Sequence, residues 1–178
     1  DPVFTEDNYV TCSQAISDLP SLIGDSDYDL KKTRNYICEP SSEYQKMMRK
    51  KSLVVYNHYP IKHSQKTIEN ISKVPDGGNY KDLPKDEMKN FKYHESLHRY
   101  TSNKPSLTID TGHRTHFHYK WNRIPTVREN ARLQSFPDDF IFYGSKIQQY
   151  RQVGNAVPPL LGKAIALKVK ETLDNEEI

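Results

Sequence analysis

Apolar positions in this chain fall into short clusters separated by long polar connections, and their spacing changes from one segment to the next. Thr11-Cys12-Ser13-Gln14 has the form of a helix capping box. Ala15, Ile16 and Leu19 then follow on one helical face until Pro20 stops the run. Residues 24–29 form a polar, acidic loop. Residues 41–51 read as a basic helix, and Leu53-Val54-Val55-Tyr56 after it as a short strand. A further helix is expected over Gln65–Lys73, closed by the turn signal Pro75-Asp76-Gly77-Gly78. A helical turn is expected around Lys85–Phe91, and the alternation of Ser106–Asp110 predicts a strand.

The last third carries the firmest pattern. Thr126-Val127-Arg128-Glu129 repeats the capping-box form, so a helix should run from there to about Gln134, before Phe136-Pro137 ends it. Ile141-Phe142-Tyr143 reads as a strand. Gly154-Asn155 is expected at a helix N-terminus, where a permissive backbone and a two-headed amide suit an anion or a polar cofactor group. Pro158-Pro159 preset φ for that helix, in which Leu161, Ala164, Ile165 and Val169 share a face. Leu160, Ala166 and Leu167 widen the stripe, so this helix should be buried against something. The acidic tail from Asp174 should fray.

Composition sharpens this picture in two places. Only 35% of the 178 residues are hydrophobic and 28% are charged, so the core is modest; the 11% aromatic content still argues for a folded chain. The net charge of +3 is too small to announce a nucleic-acid partner, but its distribution is uneven. Residues 1–30 lack Lys and Arg, whereas residues 31–66 carry Lys46, Arg49, Lys50, Lys51 and Lys62 among others, which fits a face turned toward phosphates. Cys12 and Cys38 form no CxxC pair and point to a reducing compartment. No apolar run reaches membrane-spanning length. The expectation is a soluble cytoplasmic protein, nucleoid-associated if bacterial, with no membrane partner. The opening Asp1-Pro2 reads as a processed chain or a cut fragment.

Two segments identify a family. Residues 123–140 read RIPTVRENARLQSFPDDF, and residues 152–159 read QVGNAVPP. In this order and spacing they resemble the last two conserved motifs of DNA (cytosine-5) methyltransferases. Val10-Thr11 with Ala15–Pro20 is similar to the stretch that precedes the family's target-recognition region. The resemblance implies an α+β fold: a small mixed target-recognition domain of short strands and long loops, then a C-terminal helix that docks on a missing α/β, Rossmann-like methyltransferase domain. The expected divisions are 1–24, a linker and helix after the catalytic half; 25–122, target recognition; 123–151, a hinge segment; and 152–178, the returning helix. The cofactor implied is S-adenosyl-L-methionine, with Asn155 and Val157 bordering its pocket. The partners implied are double-stranded DNA and an N-terminal catalytic half or complementary subunit.

The resemblance also marks what is missing. Methylation at C5 needs a thiolate to add at C6 of a flipped-out cytosine. The family supplies it from a Pro-Cys dipeptide, but here Cys12 follows Thr11 and Cys38 follows Ile37. There is no Glu-Asn-Val and no Gly-x-Gly. The expectation is therefore the recognition part of a restriction–modification enzyme, inactive alone. It is either a fragment or the second subunit of a split enzyme; the alternative from another class is a stand-alone DNA-binding module.

Candidate DNA contacts follow from residue chemistry. Lys46, Arg49, Lys50, Lys51 and Lys62 suit phosphates, while Asn57, His58, Gly77, Gly78, Tyr80, Arg99 and Arg114 offer base-edge donors or close backbone approach. Arg128 and Arg132, four apart with Glu129 between them, form with Gln134 a motif that either staples the domain internally or holds phosphates. His113, His116 and His118 are the one metal-like cluster, but no carboxylate or cysteine pattern completes it, so no metal is expected and a metal hydrolase is a distant third reading. Tyr119 and Trp121 read as packing residues rather than a base-stacking platform.

Overall fold

A computed structural model describes residues 9–88, 97–111 and 116–176. Its helices are α1 (Cys12–Ile16), α2 (Glu43–Arg49), α3 (Gln65–Lys73), α4 (Lys85–Met88), α5 (Val127–Leu133), α6 (Lys146–Asn155) and α7 (Pro159–Glu176), with a 3₁₀ turn at Tyr80–Asp82. Two short strands, β1 (His98–Arg99) and β2 (His116–Phe117), pair in parallel with His98 opposite His116. The architecture is thus a mixed arrangement of helices and short strands joined by long loops.

Five of these helices start where a hydroxyl can take up an otherwise unpaired backbone N–H. Thr11, Ser42, Ser64, Thr126 and Ser145 each accept from the residue three positions on. At Thr11, Thr126 and Ser145 the residue three positions on also reaches back to the cap, completing a capping box. α5 stops at Gln134 because Ser135 turns left-handed (φ 61), with Ser135 N–H bonded to the Arg132 carbonyl and Phe136 N–H to that of Ala131. This pair of closing bonds satisfies the last carbonyls of the helix.

The expected strands do not form. Of Leu53–Tyr56 only Val55 pairs, in a single antiparallel bridge with Arg34. The next residue but one, Asn57, adopts φ 56 and diverts the chain, while Leu53 points into solvent. Ile141–Tyr143 lies beside no strand: Phe142 donates its N–H to Asn57 Oδ1 (3.0 Å) and accepts from Asn57 Nδ2 (2.8 Å), so a side chain takes the place of a neighbouring strand. Residues 106–110 are irregular, with only Ile109 buried, because their neighbour is the backbone of α6 at Gly154. The helix expected over 85–91 is described at Lys85–Met88, and the remainder lies outside the described residues.

The main core cluster comprises Cys12, Tyr59, Tyr100, Ile109, Val127, Ala131, Phe136, Phe142, Tyr150 and Val153. It draws on residues from 1–24, 25–122, 123–151 and 152–178 alike. A second cluster, of Ile71, Val74, Tyr80, Leu83, Phe117 and Ile124, lies under the Gly77-Gly78 turn, and a third joins α1 to Val55. α7 departs from this body. Leu160 N–H bonds Ser135 Oγ (3.0 Å), and beyond that Leu161, Ile165, Leu167, Val169 and Leu173 are all exposed. No described helix is long and apolar enough to cross a membrane.

Candidate nucleic-acid and cofactor-facing site

The site is framed by α5, whose residues Val127–Arg132 are all buried. Arg132 spends its guanidinium on two carboxylates and a carbonyl: Asp138 through Nε and Nη2 (both 2.5 Å), Asp18 through Nη1 (3.1 Å) and Nη2 (3.3 Å), and Ala15 O (2.9 Å). Burial would weaken its charge, but Asp138 and Asp18 more than compensate and hold the guanidinium firmly protonated. Tyr36 caps Asp138, and Tyr44 donates to the Arg132 carbonyl. Arg128 instead donates to three carbonyls, of Tyr56 (2.9 Å), Pro137 (3.0 Å) and Phe140 (2.5 Å). Burial brings its pKa down to about 10, against the pull of Asp138.

Glu129 faces a different way. It takes a bidentate pair of bonds from Arg123 (2.6 and 2.7 Å) and the Thr126 N–H (2.7 Å), with His118 Nε2 3.6 Å away. Burial alone would raise its pKa, but Arg123 and His118 hold it well below the usual carboxylate range. Gln134 ties α5 to α6 through its bond to the Val153 carbonyl (3.2 Å). All four motif residues therefore act inward, binding α1, α5, α6 and the 136–142 loop together. Asp18, Arg123 and Asp138 complete this network and are not among the residues named as candidates from the sequence, although Arg123 and Asp138 sit in the 123–140 motif and Asp18 in the Ala15–Pro20 stretch that carry the family resemblance.

The candidate base readers divide sharply. Asn57 is buried, and its amide serves Phe142 and Gln149. His58 is fully buried between Thr126 Oγ1 (2.8 Å) and Pro20 O (2.7 Å), which fixes the neutral ring with its proton on Nε2. Burial drops its pKa to about 4. Arg99 is buried and donates to backbone carbonyls. The expectation that these three read bases is corrected, since every one of their donors already serves the interior. Tyr80 is also buried, in the second core cluster. Gly78 is buried under Pro75, whereas Gly77 (φ +70) stands at the exposed tip of its turn. Arg114 and His113 lie outside the described residues.

The candidate phosphate contacts fare differently. Lys46, Lys50, Lys51 and Lys62 are exposed, Lys46 in a surface pair with Glu43 (2.5 Å). Arg49 is a correction: it lies over the Tyr36 ring, 3.8 Å from its centroid, and donates to the Cys38 carbonyl and Asp18, so it braces α2 rather than facing solvent. His116 stacks on Tyr100 (5.1 Å) and His118 on Tyr119 (4.6 Å). Among the described residues no group of three His, Cys, Asp or Glu side chains is placed to hold a metal.

Neither cysteine has a nucleophile's setting. Cys12 is fully buried in the main cluster, and burial foremost, with Asp76 adding, pushes its thiol up to about 12. Cys38 is exposed.

Asn155 and Val157 sit where α6 ends and the chain breaks before α7. Asn155 closes α6 rather than opening a helix, which corrects its expected placement: the helix over 146–155 was not anticipated, although Ser145-x-x-Gln148 is its capping box. Both residues are exposed, with Val157 62% accessible, and they adjoin the bare apolar surface of α7. An amide and a small apolar side chain at such a break suit a ligand with polar and apolar parts.

Residues 4–171 match the family model for the C-5 cytosine-specific DNA methylase. Type II methyltransferase M1.HphI of Haemophilus parahaemolyticus is 42% identical over 149 residues, covering 80% of this chain and 38% of that protein. Type II methyltransferase M.DdeI of Desulfomicrobium norvegicum is 31% identical over 189 residues, covering 96% of this chain and 45% of that protein. The chain thus spans less than half the length of these two relatives. Type II methyltransferase M.AquIB of Picosynechococcus is 36% identical over 135 residues, covering 69% of this chain and 93% of that shorter protein. A crystal structure of an E. coli prophage-encoded protein, described as a DNA modification methyltransferase, superposes with a TM-score of 0.69 at 20% identity. It covers 93% of this chain and 47% of its own, a likeness of fold.

Proposed function

The chain belongs to the C-5 cytosine-specific DNA methylase family, and on that premise we propose that it is the target-recognition and cofactor-pocket-closing part of a DNA cytosine-5 methyltransferase of the restriction–modification type. The observation that carries this reading is α7. A helix of 18 residues with exposed Leu161, Ile165, Val169 and Leu173 is unstable in water unless its apolar sides are covered. The cover we assign is the α/β catalytic half that bears the Pro-Cys nucleophile.

In this reading Asn155 and Val157 border S-adenosyl-L-methionine, Asn155 offering its amide to a polar group and Val157 its apolar side chain. When bound, that group supplies the methyl. Lys46, Lys50, Lys51 and Lys62 neutralise phosphates of double-stranded DNA, and the exposed Gly77 turn lies against the duplex. The buried α5 network keeps the recognition region and the 152–157 segment in one rigid relation, so a base extruded from DNA meets a fixed cofactor position. Without a Pro-Cys cysteine the chain does not methylate DNA alone.

The test is to co-express the chain with a Pro-Cys-bearing catalytic half and follow methyl transfer to duplex DNA. Restored transfer is the expected result. DNA binding with no rescue by any such half would instead establish a stand-alone binding module. A separate recognition subunit of a split enzyme is a second reading, since M.AquIB is a short protein of which 93% is matched by part of this chain. Its check is whether a Pro-Cys-bearing companion co-purifies with the chain from its native source.

A further inference from the structure

Arg99, like Arg128, is buried and spends its guanidinium on uncharged oxygens rather than on a hydrogen-bonded carboxylate. The Arg99 guanidinium donates to Ile71 O (2.5 Å), Val74 O (2.7 Å), His118 O (2.9 Å), Trp121 O (3.4 Å) and Asn122 Oδ1 (2.9 Å). None of these acceptors is a carboxylate. The charge that supports it, Asp76, acts only electrostatically and makes no hydrogen bond to it, so burial still lowers its pKa. Burying a cation in this way is a poor means of stabilising a fold, and an apolar residue of similar volume usually does better. What the guanidinium offers instead is geometry: a flat fork whose N–H directions are fixed, so that every segment it touches must be in register at once.

The segments it registers surround the exposed turn. Ile71 and Val74 end α3 and lead directly into Pro75–Gly78; His118 to Asn122 follow β2; and Arg99 itself lies on β1, its own N–H bonded to the Gly78 carbonyl (2.9 Å). Within the turn, Asp76 accepts from Ser102 through both its N–H (3.0 Å) and its hydroxyl (2.6 Å). Thr101 fills the space beside Gly77, where an added Cβ would come 2.6 Å from its hydroxyl oxygen. The turn is therefore held by both Arg99 and Asp76.

We propose that Arg99 is a positioning residue for sequence discrimination, holding the Pro75–Gly78 turn at the distance from DNA that distinguishes the correct site from a near match. The inference rests on the recognition role proposed above. A turn displaced by a fraction of an ångström still meets phosphates, because salt-dependent contacts tolerate movement, but base-edge contacts do not.

The experiment uses the active enzyme containing this chain, whether one polypeptide or two. Its preferred site is first mapped by single-base methylation sequencing. The parent, Arg99→Lys and Asp76→Asn are then compared for kcat/KM at that site and at sites changed by one base pair, with melting curves to show that each is folded. Lysine keeps the charge but loses the fork, so the ratio of preferred to altered sites should fall about tenfold or more. Asp76→Asn, which loosens the same turn at its bonds to Ser102, should lower the ratio in the same direction. An unchanged ratio in folded Arg99→Lys and Asp76→Asn overturns the proposal and leaves the recognition role standing. If Arg99→Lys does not fold, the ratio in Asp76→Asn decides alone. A parent that methylates no DNA removes the recognition role and this inference together.

Discussion

Gly154 lies directly against the backbone of Asp110. A Cβ at position 154 would stand 2.4 Å from the Asp110 carbonyl oxygen and 2.6 Å from the Thr111 nitrogen. The glycine of the Gln-Val-Gly-Asn segment is thus a packing requirement, allowing α6 to press on the irregular 106–110 stretch.

Gly154→Ala sets two effects against each other. Inside a helix, alanine gains about 1 kcal/mol over glycine. Here the clash is with backbone, which cannot rotate away, and overpacking of this kind costs roughly 1–3 kcal/mol or more. The clash wins, and urea denaturation should show a lower midpoint with little change in slope. A variant as stable as the parent would mean that α6 does not meet Asp110 as described.

The same comparison shows what a sequence reveals and what it conceals. The helices beginning at Thr11 and Thr126 are legible because their starting signals are local: a hydroxyl and an amide or acid at fixed spacing decide them. α6 has that signal too, at Ser145 and Gln148, but its thin apolar face of Tyr150 and Val153 gave no periodic run to notice. The strands failed for a non-local reason. Asn57 turns left-handed and lends its amide to Phe142, 85 residues on, which no local pattern foretells. Asn57, His58 and Arg99 carry the donors that a base reader needs, yet a donor suits a buried carbonyl as well as a base edge. Residue chemistry names the bond a side chain can make; only the fold decides which partner receives it. Asn155 and Val157 are proposed to border the cofactor on family resemblance alone; what the fold adds is that both are exposed just before α7.

Arg132 and its two carboxylates should behave as a unit. Arg132→Met leaves Asp18 and Asp138 buried without their main partner, a change expected to cost about 3–5 kcal/mol. Arg132→Lys cannot span both carboxylates and should recover only part of this loss. Paired replacement of Arg132 and Asp138 by apolar residues should cost less than the sum of the two single changes. Denaturant titration of all these variants provides the comparison, and additive single losses would show that the pair is not coupled.

Stability should fall on mild acidification. His58 and His118 are held neutral, with pKa values lowered to about 4 and about 3, burial being the first cause in each case. In the unfolded chain both return to about 6.5. Between these limits the unfolded chain binds protons that the folded one refuses, so their contribution is complete above pH about 6.5 and is lost as pH falls through the window below it. The steepest slope is about 1.4 kcal/mol per pH unit for each histidine. Glu129, its pKa lowered in the fold, adds a further loss as the pH falls through the ordinary carboxylate range toward its lowered value. Urea midpoints from pH 8 to 5 should be flat at first and then decline; a midpoint independent of pH across 6.5 to 5 would contradict the buried neutral assignment.

Asn155→Ala separates cofactor binding from DNA binding. Asn155 is exposed at the break before α7 and lies outside the α5 network, so its loss should leave the fold intact and the melting temperature within a few degrees of the parent. The lost amide bond would fall on the cofactor alone. One hydrogen bond to a polar group is worth about 0.5–1.5 kcal/mol, or about 1.5–3 kcal/mol if the group is charged. In the reassembled enzyme the KM for S-adenosyl-L-methionine should therefore rise by about two- to a hundredfold, while the Kd for duplex DNA at fixed salt stays near the parent's. A KM equal to the parent's would detach Asn155 from the cofactor. A weakened Kd for DNA with an unchanged KM would move the residue to the nucleic-acid face instead.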